Sequence, residues 1–396
     1  MTRWVVSQVG AREHFAVARG LAERGELANL FTDAWVPPDS LWSRIPGTGK
    51  LADRYHPDLE TATIIASTGR SVRWEMIARL RRSQGWPKTI ARNTWYQDNV
   101  LKQLVRMDDK VDAFFSYSYS ALGLLPLCRD RGWMSVVGQI DPGPVEERIV
   151  AEEHDRYPQI ASSWNHAPKR YWDAWQQEME LADRIVVNSA WSRRCLVEEG
   201  IDERKISIIP LVYQPSNVHA HPVNQRTINS KMSNDTFNVL FLGQVNLRKG
   251  IARLIHAMRQ LKSHPEIRLT IAGPSEVSSQ LWDDLQNVQY LGPVRRSHVA
   301  KLYRAADVFI LPTLSDGYAL TQLEALAEGV PVIASKRCGD CVVEGENGWR
   351  LPDLEPNTIA EAIVHAKEHR LDFEPPSAFG IESYAKRLAE LATSFQ

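Results

Sequence analysis

The sequence contains little that would tie the chain to a membrane, to nucleic acid or to an oxidising compartment. No apolar run approaches the roughly 18 residues that cross a bilayer, and a net charge of −1 gives no global field to recruit nucleic acid. Four cysteines in 396 residues argue against a disulfide framework. Residues 4–9 form a strand-like run rather than the apolar core of a signal peptide. We therefore expect a cytoplasmic protein with no nucleic-acid partner.

Cys338 and Cys341 form a Cys-x-x-Cys pair. A tetrahedral zinc site takes four ligands, and no second pair lies at zinc-finger spacing. We therefore expect free thiols and no metal at this position.

Short apolar runs alternate with helix-like segments almost throughout the chain. The length of 396 residues suits two domains, and the alternation predicts parallel, doubly wound sheets of the α/β class. The polar, turn-rich stretch 215–236 lacks periodicity and is interpreted as a linker. It separates a first domain, residues 1–214, from a second domain, residues 237–374. In the first domain the pattern predicts a helix over 12–24 after the strand-like run.

Two carboxylates, Asp316 and Glu324, lie eight positions apart between the apolar runs 308–311 and 331–334. Asp316 should lie in the loop that leaves a buried strand, and Glu324 should lie on the following helix. Open α/β sheets bind ligands at this edge, beyond the carboxyl ends of strands and at helix N-termini. Taken alone, each acid has a plain alternative: Asp316 as a helix N-cap and Glu324 on a solvated helix face.

A second candidate site follows the apolar run 239–242. Gly243 and Gln244 come directly after this run, and Arg248 and Lys249 stand just before the next helix-like segment. Glycine lets backbone amides approach a phosphate closely, and a cation at a helix N-terminus can neutralise that phosphate. The alternative is a surface basic pair before an ordinary helix, because short glycine motifs often occur by chance.

The order of these motifs, from about residue 238 to residue 352, resembles the retaining glycosyltransferases of family 4, which have the GT-B fold. That family usually has Glu-x7-Glu where this chain begins with Asp316, and Gly-Arg where it has Gly243-Gln244. The resemblance implies two Rossmann-like domains that face a cleft, with the donor bound by the second domain and the acceptor by the first. It also implies that a C-terminal helix, about residues 377–396, packs back on the first domain.

The same resemblance assigns roles in binding a nucleotide-diphosphate sugar. Glu324 would accept the two ribose hydroxyls, and Asp316 would contact the transferred sugar. Lys249 and Arg248 would neutralise the diphosphate, and Val294 would lie near the base. Lys249 and Asp316 are also the second domain's catalytic candidates. The donor-binding set implied in this way is Gly243, Gln244, Arg248, Lys249, Val294, Gly317, Tyr318, Ala319 and Glu324.

The first domain matches the family only in outline. Many members place a histidine that faces the sugar near residues 139–143, where this chain has none. Asp141 is the nearest polar substitute and becomes the catalytic candidate there. The loop after the first strand would help to hold the acceptor, although its Gly10 is equally explained as a tight-turn residue. The acceptor-side candidates are Gly10, Ala11, Arg12 and His14.

The resemblance as a whole implies a retaining hexosyltransferase of polysaccharide biosynthesis. It would transfer a sugar from a nucleotide-diphosphate donor to a glycan, lipid-linked or small-molecule acceptor, with no cofactor. The sequence has no Asp-x-Asp, which holds the divalent metal in the other major glycosyltransferase fold, so metal-independent catalysis is expected. Two alternatives stay open: a non-catalytic, two-lobed protein that binds a nucleotide or sugar, and a GT-B epimerase.

Residues 70–92 carry seven basic side chains and one acid, interleaved with tryptophans and aliphatic residues. Basic residues are attracted to anionic lipid, and tryptophan can lie at the level of the headgroups. One hypothesis is that this segment borders the acceptor cleft and either docks to the inner face of an anionic membrane or holds an anionic acceptor. The alternative is a solvated helical excursion.

Overall fold

The computed structural model describes residues 2–44, 54–212, 236–375 and 380–393. Within these ranges the chain forms two parallel sheets, one of seven strands and one of six, each flanked by helices. The predicted α/β, doubly wound class is therefore confirmed. Nearly all of the predicted linker, 215–236, and both ends of the predicted C-terminal segment, 377–396, lie outside the described residues.

The first sheet is built from the amino-terminal half of the chain. Its strands are β1 (Trp4–Gln8), β2 (Leu27–Thr32), β3 (Ile64–Ala66), β4 (Ala113–Tyr117), β5 (Met134–Gly138), β6 (Arg184–Val187) and β7 (Ile206–Ile208). They pair in parallel in the order β3-β2-β1-β4-β5-β6-β7. The central strands β1, β4 and β5 are buried at every residue, as expected for a parallel sheet covered on both faces.

The helices of this half are α1 (Ala16–Glu23), α2 (Thr68–Leu80), α3 (Gly85–Leu104), α4 (Leu125–Asp130), α5 (Pro144–Arg156), α6 (Lys169–Leu181) and α7 (Ala190–Glu198). The prediction of a helix over 12–24 is wrong at its start, since α1 begins at Ala16. Glu13, His14 and Phe15 have φ values of 51°, 49° and 61°. A right-handed helix cannot pass through these left-handed conformations.

The second sheet consists of β8 (Phe237–Leu242), β9 (Ile267–Ala272), β10 (Val288–Tyr290), β11 (Val308–Leu311), β12 (Val332–Ser335) and β13 (Gly348–Leu351). Its order is β10-β9-β8-β11-β12-β13. The helices that follow are α8 (Ile251–Gln260), α9 (Arg296–Ala305), α10 (Leu320–Ala327), α11 (Pro356–Glu368) and α12 (Ile381–Thr393). None of the described helices is both long and apolar enough to pass through a bilayer.

The strand order of each sheet reverses at its centre, between β1 and β4 and between β8 and β11. Such switch points form the crevices in which α/β sheets bind ligands. Loops from the carboxyl ends of the two sheets touch, because a Cβ on Gly317 would lie 2.4 Å from the Ile140 carbonyl oxygen. The ligand-binding edges of the two sheets therefore meet at the domain boundary, and only glycine fits at position 317.

Two helices connect the domains by packing. α12 lies on α1, where a Cβ added to Gly20 would be 2.8 Å from the Ala385 Cβ. α5 of the first domain is held to α8 by Arg253, which donates two hydrogen bonds of 2.7 Å to Glu153. Tyr157, just after α5, belongs to the buried apolar cluster of the second domain. α5 is therefore packed tightly against the domain that follows it.

Candidate active site

A tight turn after β8 fixes Arg248 and Lys249 at the cleft. The side-chain oxygen of Asn246 accepts the backbone N–H of Lys249 at 3.1 Å and caps this turn. Gly250 follows with φ of 76°, and a Cβ there would lie 1.9 Å from the Pro312 carbonyl oxygen. Only glycine fits this contact. The turn is thus locked beside the end of β11, and both predicted cations are brought to the acidic loop.

Asp316 lies against these two cations in the loop after β11. Lys249 Nζ pairs with Asp316 Oδ2, and Arg248 Nη1 lies 3.4 Å from the same oxygen. The backbone N–H of Tyr318 donates to Oδ1 at 3.3 Å. Burial opposes ionisation, but Lys249 and Arg248 outweigh it and hold the pKa of Asp316 below its usual value. Asp316 is therefore a carboxylate at neutral pH. It is not the N-cap of α10, a position that Ala319 occupies.

The residues between Asp316 and α10 bring backbone amides to the same place. Ala319 has φ of 64°, and α10 begins directly after it. Amides in the first turn of a helix have no partner within the helix and favour an anion. The ring of Tyr318 is buried in an apolar cluster of the second domain, so the backbone of this residue is the part that could contact a ligand.

Glu324 is held within α10 by the Tyr303 hydroxyl, which donates to its Oε2 at 3.0 Å. Burial raises the pKa of Glu324, while Tyr303 and Arg296 oppose that rise. Arg296 also lies 3.4 Å from Nε2 of His14 across the cleft. Glu324 is therefore a partly buried acid rather than one on a solvated face. The loop that carries Val294 meets the acceptor-side loop through this arginine.

Gly243 and Gln244 are placed differently from the predicted cations. The Gln244 amide donates to Glu276 at 2.6 Å, and Asn246 donates to the other oxygen of that carboxylate at 3.0 Å. A Cβ on Gly273 would lie 1.8 Å from the Gly243 carbonyl oxygen, so β8 and β9 end in close backbone contact. The structure brings Gln244 to Glu276 rather than to the pair of Lys249 and Asp316.

Asp141 faces the acidic loop from the first domain. Its Oδ1 accepts hydrogen bonds from the Tyr119 hydroxyl at 2.7 Å, the Gly143 N–H at 2.9 Å and Gln139 Nε2 at 3.0 Å. A Cβ on Gly317 would lie 3.5 Å from the Cα of Asp141. Burial raises the pKa of Asp141, and the hydrogen bonds oppose that rise. The structure therefore brings this candidate together with the second-domain cluster.

The loop after β1 contains the four acceptor-side candidates. The Gly10 N–H donates to Asp33 at 2.8 Å, and its φ is 81°. The guanidinium carbon of Arg12 lies 5.4 Å from the centre of the Tyr117 ring. Three successive left-handed residues, 13–15, follow in the same loop. Backbone strain of this kind concentrates at ligand-binding sites, where packing must maintain it.

Two acidic residues at the cleft belong to no recognisable sequence motif. Glu146, at the start of α5, has its Oε1 3.6 Å from Arg248 Nη1. Asp33, just after β2, is buried and paired with Arg54 and Arg92 at 3.1 and 2.9 Å. The only signal for Glu146 is an acid in the first turn of a helix, which is common without any function.

Cys338 and Cys341 are separate, buried thiols. Cys338 Sγ donates to the Ser335 carbonyl oxygen at 3.1 Å, and burial raises the pKa of Cys341 to about 12. Within the described part of the chain, no three His, Cys, Asp or Glu side chains are grouped to hold a metal ion.

Comparisons with known proteins give a family match for the second domain and several relatives in sequence and fold. Residues 236–369 match the family model of glycosyl transferases group 1. An uncharacterized glycosyltransferase of Methanocaldococcus jannaschii is 30% identical over 171 residues, 39% of this chain and 44% of that protein. A D-inositol 3-phosphate glycosyltransferase of Corynebacterium urealyticum is 26% identical over 250 residues, 55% of this chain and 58% of that protein. The chain spans about half the length of the curated relatives it matches.

Among solved structures, the catalytic domain of starch synthase IV from Arabidopsis thaliana, bound to ADP and acarbose, superposes with a TM-score of 0.65. The match covers 100% of this chain and 99% of that chain at 14% identity, so it shows the fold alone. The fold is that of GT-B proteins. The second domain of this chain is similar to the glycosyl transferases of group 1 over residues 236–369, in line with the resemblance seen in the sequence.

Proposed function

We propose that this protein is a retaining, metal-independent glycosyltransferase of family 4. It transfers a sugar from a nucleotide-diphosphate donor to a glycan, lipid-linked or small-molecule acceptor. The observation that carries the proposal is the group of Lys249, Arg248 and Asp316 at the edge of the second sheet, faced by Asp141 from the first domain. Two fixed cations beside a helix N-terminus suit a departing diphosphate.

Each group has a part in the proposed reaction. Lys249, Arg248 and the first amides of α10 stabilise the charge that develops on the leaving diphosphate. Asp316 and Asp141 stabilise the positive charge of the transferred sugar. Glu324 binds the ribose hydroxyls. In a front-face retaining reaction the leaving phosphate oxygen takes the acceptor proton, so no separate base is required.

A panel of nucleotide sugars tests this proposal. A donor that binds only the folded protein must raise its melting temperature, by an amount that grows with concentration. The donor that stabilises the protein most is then incubated with the enzyme, and release of nucleoside diphosphate is followed over time. Stabilisation followed by steady release supports a transferase. Stabilisation without release over hours would favour the two-lobed binding protein instead.

The surface of α2 favours a further partner, an anionic membrane. The enzyme would work at the inner face of this membrane. Met76, Ile77 and Leu80 are 58%, 37% and 82% exposed. Successive helical residues are about 100° apart, so these three fall within one arc of about 100°. Arg73 lies within that arc, and Arg79 and Arg81 lie on either side of it. Exposed apolar side chains and arginines therefore share one surface of α2, which offers both kinds of contact that an anionic bilayer interface can accept.

The charge around this face of α2 is mostly positive. Glu75, the one acid among residues 70–92, is held by Lys88 at 2.8 Å and by Arg79 at 3.4 Å. Each basic residue near an anionic surface contributes about 1 kcal/mol of attraction. The acceptor-side domain would therefore rest on the membrane, which suits a lipid-linked acceptor.

Cosedimentation with vesicles of anionic and of neutral phospholipid tests the docking. We expect salt-sensitive binding to the anionic vesicles, lost when Arg79, Arg81 and Arg82 are changed to Glu. A matched control changes Lys102, Arg106 and Lys110 to Glu, the same change in charge near the far end of α3. Equal loss of vesicle binding in both variants would indicate that binding depends only on the net charge of the protein. No binding by the wild type would return α2 to a solvated helix.

A further inference from the structure

Three carboxyl groups from both domains share two cations at the centre of the candidate site. Asp316 contacts Lys249 and Arg248 from the second domain. Glu146 approaches Arg248 from the first domain, with 3.6 Å between Oε1 and Nη1. Asp141 is close enough that its charge acts on Glu146. With every group ionised, the three carboxylates offset Lys249, Arg248 and Arg12, whose charge also reaches Asp141. A diphosphate would add further negative charge, so an acid that holds a proton would leave a cation available to an anionic donor.

The hydrogen bonds distinguish Glu146 from the other two acids. Asp316 has two cations and a backbone N–H. Asp141 accepts three hydrogen bonds on one oxygen. In contrast, the Oε2 atom of Glu146 is buried and has no hydrogen-bond partner within the described part of the chain. A buried carboxylate oxygen without a donor makes ionisation of Glu146 costly, so among the three acids we assign the proton to Glu146.

The electrostatic surroundings agree with this assignment. Burial raises the pKa of Glu146 to about 8; Arg248 opposes the rise, whereas the charges of Asp141 and Asp316 add to it. The hydroxyl of Ser315 favours the ionised form more weakly. The charge of Glu146 also acts on the Cys195 thiol of α7, and burial keeps that thiol protonated by raising its pKa to about 12.

We propose that Glu146 is a proton-controlled positioning residue of the donor site. As a neutral acid it leaves the charge of Arg248 to the donor diphosphate. As a carboxylate it pairs with Arg248 and repels the diphosphate. This inference rests on the proposed function and deepens it, because it makes donor affinity depend on a first-domain residue. Donor binding should therefore weaken as the pH rises, while the chemical step depends much less on this group.

The test measures binding of a nucleoside diphosphate by calorimetry from about pH 6.5 to about pH 9. UDP, ADP and GDP are tried first, and the tightest is used. Glu146→Gln keeps the shape of the neutral acid, so its affinity should match the wild type near pH 6.5. By pH 9 we expect the wild type to bind about tenfold more weakly than Glu146→Gln. Dividing the affinity of the wild type by that of Glu146→Gln at each pH cancels the effect of the ligand's own ionisation. Glu152→Gln, an exposed change on the same helix, serves as control.

The outcomes separate this inference from the proposed function. Parallel pH curves for the wild type and Glu146→Gln, or loss of binding in Glu146→Gln near pH 6.5, would overturn the role of Glu146 alone. Failure of the wild type to bind any of the three nucleotides at any pH would instead overturn the donor site itself. Steady-state kinetics add an independent readout: the pH effect should fall on KM for the donor, with kcat changing far less.

Discussion

The two domains present opposite chemistry to the cleft between them. The second domain supplies the ammonium and guanidinium groups of residues 248 and 249, fixed by a capped turn and a close glycine contact. It also supplies the N-terminus of α10 and the carboxyl groups of Asp316 and Glu324. The first domain supplies carboxyl groups and aromatic rings, among them Asp141, Glu146 and the stacked pair Tyr119 and Tyr171, whose centres lie 5.0 Å apart. One side suits an anionic diphosphate, and the other suits sugar hydroxyls and a developing positive charge.

This division teaches that the site exists only when the domains meet. The diphosphate side is held by contacts within the second domain, except where Glu146 approaches Arg248. The sugar side depends on Gly317, which lies against Ile140 with no room for a side chain. Substitutions can therefore be sorted by the half of the reaction that they should affect.

The largest expected effect comes from removing the second-domain donor contacts. Lys249→Ala and Glu324→Ala should each lower kcat/KM at least about tenfold, because a charge-assisted contact is worth about 1.5–3 kcal/mol. Initial rates with the best donor measure this. Lys262→Ala and Glu361→Ala are the matched exposed controls. If the site variants fold normally and match their controls, the donor site is misassigned.

A smaller and more selective effect is expected from Asp316→Asn. Its proposed partner is the transferred sugar, so kcat should fall about fivefold, equivalent to about 1 kcal/mol. Nucleoside diphosphate affinity should not fall, because the change also removes a carboxylate that is paired with Lys249 and Arg248. Nucleoside diphosphate affinity, by calorimetry, and turnover are measured on the same preparation. Equal losses of affinity and turnover would contradict the proposed division between sugar and diphosphate contacts.

The site residues of the second domain can be predicted from the sequence more fully than those of the first domain, and the reason is physical. Arg248, Lys249, Asp316 and Glu324 lie in the loop or helix that follows a buried strand of the second sheet, so a local pattern predicts their positions. Glu146 joins them only because α5 packs across the domain boundary. Asp33 meets its partners through loops that are distant in sequence. The left-handed residues 13–15 have no signature at all, since none of them is glycine.

Two buried acids of the first domain should differ in how they affect stability with pH. Burial raises the pKa of Glu13 to about 7, opposed by Arg12, and its Oε2 has no hydrogen-bond partner in the described residues. Burial also raises the pKa of Glu178 to about 7, but Glu178 accepts three backbone N–H groups at 2.6, 2.7 and 2.9 Å. The first acid has one oxygen without a donor, whereas both oxygens of the second accept backbone N–H groups.

Folding raises the pKa of Glu13 from about 4.5 to about 7, so ionisation of Glu13 lowers the free energy of unfolding as the pH rises between these two values. Above about pH 7 the loss of stability is constant. Glu13→Gln removes this cost. The free energy of unfolding of this variant relative to wild type should therefore rise over this pH range, by about 3 kcal/mol at most, and its melting temperature should rise with it. Glu178→Gln sets an amide N–H₂ against a backbone N–H and should lower the melting temperature throughout. The same sign for both variants at pH 8 would contradict this contrast.

The smallest expected effect is that of a chelator. If Lys249 and Arg248 supply the positive charge that a metal supplies in other glycosyltransferases, turnover should change less than about twofold in excess EDTA. Rates before and after dialysis against the chelator measure this. Complete loss, with recovery on adding magnesium or manganese, would show that the two cations are insufficient.

The position of α12 has a consequence for the order in which the chain becomes stable during synthesis. Tyr384, Leu388 and Ala392 complete the same buried cluster as Trp4 and Val6. The domain that the ribosome makes first therefore lacks part of its interior until almost the whole chain has emerged. The second domain, whose cluster closes earlier, should resist protease sooner in a series of nascent chains. Moving residues 380–393 to follow residue 212 through a short linker should let the first domain mature alone.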